Sequence, residues 1–555
     1  MSEIYPVGAT YAPLPNFVSS KHFFEDLKRM KDVGFTILLS WAFWSEIEKE
    51  HRKYNFTELD EVIESADKVK IKTVLTLDLL EPPAWFIREY VEEGVVNYRG
   101  ESVQPKIVCP DNPKFRELGT KFIEKVVNRY KSSPILHSWI SCNEPIIHCS
   151  ELTCYCRYTI NRFREWLNQK RGTLQEVNRE WKSHFTAWDE IYPPKTSLRE
   201  WGCYPAWIDW RNFSDDKLAD LVRWISETIK QIDDKHPTQT NLLNQSVIYN
   251  PTIMGSDVWK MSESVDILGC SIYILSNIGD FPHLHSHVVD MIRSSAEARG
   301  KTCWITEMQG GPTIWGQNRA VTPSSAEIYT WIWQGVLHGA KGFIYWLWRP
   351  RVGGWEGGEF GLAGKDGTLR DRAIYAGKAA KIINKNAGLF LESQYNSEVA
   401  ILHSQTCMHV AFGEIEEEAS YYGTDPYGGE RRFYTQSILG AYKILWDENI
   451  PTDFISPNLI KQGRFKKYKV LIMPFTYLLS KEVANCIKQF VQKGGTIIAD
   501  FACGMKNQRG EIHCKSPGYG LDEIFGATQF DIQSPNEGNI RIQAVSYTHL
   551  TLPTN

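Results

Sequence analysis

Strand-like and helix-like stretches alternate eight times between residue 5 and about residue 390, and no other feature constrains the fold so tightly. Short apolar runs over 5–11, 35–41, 71–80, 135–142, 238–245, 265–274, 302–306 and 342–348 read as strands. Between them lie helical stretches such as 20–33, 59–69, 115–130, 216–232 and 326–338; the first has apolar residues at Phe23, Phe24, Leu27 and Met30. Runs that are apolar throughout suit strands buried on both faces of a parallel sheet. Eight of them in βα alternation predict a (β/α)₈ TIM barrel over residues 1–390. The excursion 149–210, between the fourth and fifth strands, is then an elaboration at the barrel mouth.

A second alternating block starts near Ser397. Strands are expected over 398–403, 468–474 and 494–500, with helices over 440–448 and 481–493, which makes a smaller, incomplete three-layer α/β domain over 396–545. Residues 546–555 neither continue that pattern nor close a domain, and they are expected to be a non-native tail on a truncated chain.

Composition removes several function classes. A formal net charge of −4 gives no basis for a nucleic-acid partner or an anionic membrane surface. No apolar run is long enough to span a bilayer, and the start, Met1-Ser-Glu-Ile-Tyr-Pro6, has neither a basic region nor an apolar signal core. A cytoplasmic enzyme is therefore the expectation, with the 12 cysteines as reduced thiols or metal ligands. Twenty Trp and 25 Tyr are many for 555 residues; they suit core packing and stacking on sugar faces equally.

Two carboxylates stand out against this frame. The fourth strand runs Trp139-Ile-Ser-Cys-Asn143-Glu144-Pro145, delivering an amide and an acid where a barrel places its active site. Taken alone, Glu144 could equally be a helix-start carboxylate. The seventh strand ends Trp304-Ile-Thr306-Glu307, and in a barrel the ends of strands four and seven open on one mouth. Retaining glycoside hydrolysis needs such a pair about 5–5.5 Å apart, one a proton donor and one a nucleophile. The donor of such a pair would be protonated near neutrality, held so by burial and by the charge of the other, ionised carboxylate.

Further stretches carry a resemblance. They include Phe24-Glu-Asp-Leu-Lys-Arg-Met-Lys-Asp-Val-Gly-Phe35, Trp44-Ser45, Tyr54-Asn-Phe56, Leu59-Asp60, Glu81-Pro-Pro-Ala-Trp85 and Cys109-Pro110. Beyond the acid lie Glu190-Ile-Tyr-Pro-Pro194, Asp209-Trp-Arg-Asn-Phe213, Gly339-Ala-Lys-Gly342 and Asp366-Gly367. In this order they resemble glycoside hydrolase family forty-two, the bacterial β-galactosidases. Tyr468-Lys-Val-Leu-Ile-Met-Pro474 and Gly494-Gly-Thr496 resemble that family's trimerisation domain. The resemblance implies a retaining, exo-acting β-galactosidase that assembles as a homotrimer and acts on glycosides or oligosaccharides. Glu144 would be its acid/base, Glu307 its nucleophile and Asn143 the donor to the sugar 2-hydroxyl. Tyr273, Trp315, Glu356 and Trp188 match positions around the sugar, each aromatic having core packing as its alternative.

The chain also departs from the family. Leu38-Leu-Ser-Trp41-Ala42 stands where the family has an Arg-Ile-Gly-Glu-Phe run. Pro105-Lys106-Ile107-Val108 replaces two arginines and a His-Tyr, leaving Lys106 as the basic residue there, and Glu359 replaces a His. A site built on hydrogen bonds to particular hydroxyls discriminates strongly, so these changes bear on which sugar is accepted. The same chemistry on an α-L-arabinopyranoside, β-glucoside or β-mannoside is the alternative, and a non-catalytic carbohydrate-binding protein a more distant one. Many family members hold structural zinc on four cysteines. Here Cys109, Cys154 and Cys156 match three of them, Thr159 occupies the fourth position, and Cys149 or His148 could complete the set. No cofactor is expected for the hydrolysis itself.

Overall fold

The computed structural model describes residues 4–11, 19–92, 94–104, 108–146, 154–195, 198–248, 252, 255–275, 281–314, 320–354, 356–415 and 433–529. Lys106, His148, Cys149, Trp315 and the stretch 546–555 lie outside them.

Eight parallel strands close into a barrel: β1 (Val7–Thr10), β2 (Ile37–Phe43), β3 (Lys72–Asp78), β4 (Leu136–Asn143), β5 (Thr238–Leu243), β6 (Ile267–Ile272), β7 (Thr302–Gln309) and β8 (Phe343–Trp346). Each pairs with its sequence neighbours, and β1 pairs with β8 to seal the ring. The connecting helices are α1 (Phe23–Val33), α2 (Thr57–Val69), α3 (Pro113–Tyr130), then α4 (Arg157–Arg171) in the excursion. There follow α5 (Tyr204–Ile232), α6 (Val258–Ser264), α7 (Pro282–Glu297), α8 (Ser325–Leu337) and α9 (Asp371–Lys385). Local chemistry sets several of their starts. Asn112 accepts from the Lys114 N–H ahead of a first-turn proline, and Ser324 with Glu327 forms a reciprocal cap on α8. At the end of α1, Gly34 takes φ 116°, and a Cβ there would sit 2.6 Å from Lys381 Cγ on α9.

Side chains alternate along each strand between two cores. On β2, Ile37, Leu39 and Trp41 join Val74, Ile140, Ile267, Trp304, Ile344 and Trp346 in a cluster that fills the barrel. Leu38 and Ala42 belong instead to the larger core between barrel and helices. Of the segment expected to alter the sugar site, Leu38 therefore faces away from it, and Trp41 faces in.

A four-stranded parallel sheet follows, in the order β10 (Thr452–Ile455), β9 (Val399–Leu402), β11 (Val470–Met473), β12 (Thr496–Ala499). Three of these strands match the expected ones. The edge strand β10 escaped sequence reading because its four residues include the charged Asp453, which is buried rather than solvated. The sheet is tied to the barrel by buried polar contacts. Arg293 on α7 bonds Asp453 Oδ1 at 2.9 Å and the Thr452 carbonyl at 3.1 Å, and His409 Nε2 lies 2.8 Å from Asp215 Oδ2. Buried charges of this kind are stable only when paired, so the contacts fix how the two units meet.

Candidate active site

Both carboxylates sit where a strand loses register. Between β4 and β5 the pairing runs Ile140↔Gln239 and then Cys142↔Thr240, so Ser141 is one residue extra. Between β6 and β7 it runs Cys270↔Ile305 and then Ser271↔Glu307, so Thr306 is extra. Such irregularities re-aim the side chains that follow them. Glu144 lies one residue past β4 with φ 42°, a left-handed backbone unusual for a non-glycine residue. Its N–H donates to the Asn241 carbonyl at 2.7 Å, which holds that geometry. Glu307 lies inside β7, two residues before the strand ends, not at the terminus that alternation suggested.

Asn241 on β5 is the residue sequence reasoning missed. It is fully buried, and its amide is used on both sides: Nδ2 donates to Asn143 Oδ1 (2.8 Å) and Ser271 Oγ (2.9 Å), while Oδ1 accepts from Thr306 Oγ1. Ser271 in turn hydrogen-bonds the Glu144 carboxyl. Gly269 makes room for this arrangement, since a Cβ there would lie 2.5 Å from the Thr306 side chain. One amide thus links the strands that carry Asn143, Glu144 and Glu307. The only advance signal was a lone Asn in an otherwise strand-like run.

Burial pushes both carboxyls upward. Glu144 is raised to about 7, mainly by burial, with the Ser271 hydrogen bond opposing and Glu356 adding to the rise. Glu307 is raised well above the usual carboxylate range by burial and then by the charge of Glu144; the Tyr273 hydroxyl, 2.7 Å from Oε2, works against that rise. The sequence led to one protonated and one ionised carboxyl, and the structure raises both, because two like charges in a buried site resist joint ionisation. Glu307 Oε1 is buried and has no hydrogen-bond partner among the described residues.

Tyr273, one residue past β6, therefore touches Glu307 directly, and its ring meets Phe360 edge-on at 5.3 Å. Glu356 accepts from Trp346 Nε1 at 3.2 Å and faces Arg351 at 3.6 Å. Burial raises Glu356, and the nearby Glu359, itself wholly buried, adds to that rise. Trp188 sits on a short 3₁₀ turn in the excursion and packs against the outer core rather than the barrel-filling cluster of Tyr273 and Trp346. Asp78, the last residue of β3, is a carboxyl not anticipated from sequence; burial and Glu81 raise it to about 7.

Cys109, Cys154 and Cys156 do converge, with sulfurs within 4.8 Å of one another. Their spacing could hold a metal. Thr159 stands among them, its Oγ1 3.1 Å from Cys109 Sγ and 3.5 Å from Cys156 Sγ, and the ammonium of Lys217 reaches the same point.

A closed parallel barrel with two buried carboxyls on bulged strand ends has the layout of a glycosidase. The chain belongs to glycoside hydrolase family 42. The family profile described as beta-galactosidase matches residues 12–382, and that of the beta-galactosidase trimerisation domain matches residues 397–549. Beta-galactosidase LacZ of Heyndrickxia coagulans is 26% identical over 504 residues, covering 88% of this chain and 70% of that protein. Beta-galactosidase bgaB of Geobacillus kaustophilus is 24% identical over 525 residues, covering 91% and 72%. In fold, the chain matches a catalytic mutant of Gan42B, a family-42 beta-galactosidase from G. stearothermophilus, with a TM-score of 0.83 at 22% identity over 96% of this chain and 77% of that one. An exo-carrageenase of the same family from Bacteroides ovatus matches with a TM-score of 0.68 at 14% identity, covering 93% and 68%.

Proposed function

We propose that this glycosidase removes terminal β-D-galactose from the non-reducing end of glycosides by double displacement. The observation that carries the reading is the Glu144–Glu307 pair, in which burial and then the charge of Glu144 raise Glu307 and Glu307 Oε1 has no hydrogen-bond partner among the described residues. Glu307 attacks the anomeric carbon while Glu144 gives its proton to the departing oxygen. The covalent ester removes the negative charge of Glu307, which lowers the proton affinity of Glu144 and turns it into the base that activates water. Tyr273 donates to Glu307 Oε2 and so leaves Oε1 for attack. Because Asn143 Oδ1 accepts from Asn241, its Nδ2 is left to donate to the sugar 2-hydroxyl. Glu356 and Glu359 supply acceptors for other hydroxyls, and Trp41 and Trp346 supply apolar walls. Lys106, Trp315 and Trp188 are carried in this reading by the family resemblance alone.

The galactose assignment is supported by the names of the relatives. A panel of 4-nitrophenyl glycosides tests it: the β-galactoside is expected to turn over fastest. The second reading, another glycone, rests on Glu359 and on Trp41 in the barrel-filling cluster. A higher rate on an α-L-arabinopyranoside, β-glucoside or β-mannoside would establish that alternative, and silence on every glycoside would leave a binding protein.

Asn241→Ala supplies a further check. It removes the donor to the half-buried Asn143 Oδ1, at a cost of about 1–3 kcal/mol. A drop in kcat of roughly tenfold to a hundredfold is expected on the full glycoside, with a much smaller drop on its 2-deoxy analogue. Equal losses on both would remove Asn143 from the 2-hydroxyl.

The trimerisation-domain match supports assembly as a homotrimer. No helix among the described residues is long and apolar enough to cross a membrane. The cysteines among the described residues are free, which supports a reducing compartment such as the cytoplasm.

A further inference from the structure

We infer that the buried ammonium of Lys217, rather than a zinc ion, holds the cysteine cluster of this chain together. The cluster packs α4 against α5: Cys156 is the N-cap of α4, Thr159 lies in its first turn, and Lys217 projects from α5. A structural zinc site needs four ligands drawn from Cys, His and carboxylates, arranged tetrahedrally about 2.0–2.3 Å from the metal. Among the described residues the fourth corner is a hydroxyl, and that hydroxyl is already committed. Thr159 Oγ1 donates to Asp111 Oδ2 at 2.7 Å and accepts from Lys217 Nζ at 3.0 Å. Lys217 Nζ also lies 2.7 Å from Asp111 Oδ2 and 3.7 Å from Cys109 Sγ. The side chains of Lys217 and Asp111 are 2% and 0% exposed.

A buried ion pair of this kind persists because removing either member strands the other. Three thiolates around a dication would need a positive charge at their centre, and the ammonium brings one to their edge instead. Cys109 Sγ lies 3.8 Å from Asp111 Oδ2 as a donor, and Cys154 Sγ accepts from the N–H groups of Val96 and Cys156 at 3.4 Å each. Arg162 bonds Asp111 from the solvent side and reaches Asp220 at 2.9 Å, so Asp111 is compensated from two directions. The positive charge that fastens this corner is thus part of the chain.

Elemental analysis of the full chain, purified without chelator and with its thiols reduced, is expected to find well under about 0.1 zinc per chain. EDTA is expected to leave Tm unchanged. About one zinc per chain, with a Tm that falls on chelation, would overturn the inference. Lys217→Met is expected to lower Tm by several degrees, and an unchanged Tm would equally overturn it. The double variant Thr159→Cys, Lys217→Gln frees the corner and is expected to take up about one zinc per chain. A folded double variant that stays metal-free would show that Lys217 is not what excludes the ion. If the variants do not fold, the metal content of the unaltered chain still decides.

Discussion

Glu307→Gly is expected to lower turnover of an aryl β-galactoside by about 10⁵-fold, equivalent to about 7 kcal/mol of transition-state stabilisation, with little change in KM. Azide is then expected to restore turnover and to yield the α-galactosyl azide. The geometry gives the reason. Glu307 Oε1 is buried, unpartnered and held by Tyr273 through the other oxygen, so deleting the side chain opens a cavity the size of a small anion. An azide there attacks from the side opposite the leaving group and inverts the anomeric centre, and no carboxylate remains to displace it. Chromatography or NMR of the product reads the outcome. A β-configured azide, or no azide product with a folded protein, would remove Glu307 from the nucleophile role.

Glu144→Ala tests the other half of the pair, and its effect depends on the leaving group. For a methyl or alkyl galactoside, which needs the proton, kcat/KM is expected to fall by about 10²–10⁴-fold. For a 2,4-dinitrophenyl galactoside, which departs unaided, the first step is expected to survive, the glycosyl-enzyme to accumulate, and azide to speed its breakdown to the β-galactosyl azide. The pH profile supplies an independent reading. Glu144 acts while it holds its proton, and burial raises it to about 7. In the intact enzyme kcat/KM is therefore expected to fall as pH rises through about 7, and the acid limb, where Glu307 takes up its proton, is expected well above the usual carboxylate range. The alanine variant is expected to lose the high-pH fall. If that limb persists in the variant, another group is the acid, and Asp78, also raised to about 7 at the end of β3, becomes the first to examine.

Much of the barrel was legible from local pattern. Continuous apolar runs alternating with amphipathic stretches admit few arrangements other than parallel strands crossed by helices, and each expected strand overlaps an observed one. Glu144 and Glu307 were legible for a related reason: a carboxylate at or near the end of a buried barrel strand opens on the mouth. Other features were hidden because they depend on partners remote in sequence. Leu38 and Trp41 lie three residues apart on one strand, yet only the pleat and register decide that the second faces the site. Asp453 reads as a loop residue until Arg293, Lys467 and Tyr468 surround it.

The sequence by itself determined the class of fold, the family and the placing of two carboxylates near strand ends, because apolar periodicity and short motifs are properties of neighbouring residues. Only the tertiary structure decided how those acids are aimed. Register slips at Ser141 and Thr306, the left-handed backbone of Glu144 and the amide of Asn241 exist only once β4 to β7 lie side by side. The same holds for the raised proton affinities of Glu144 and Glu307, since a carboxyl's affinity is set by burial and by charges brought close through space. It holds again for Lys217, an ordinary helical lysine in the sequence, which folding carries into contact with Asp111, Thr159 and Cys109.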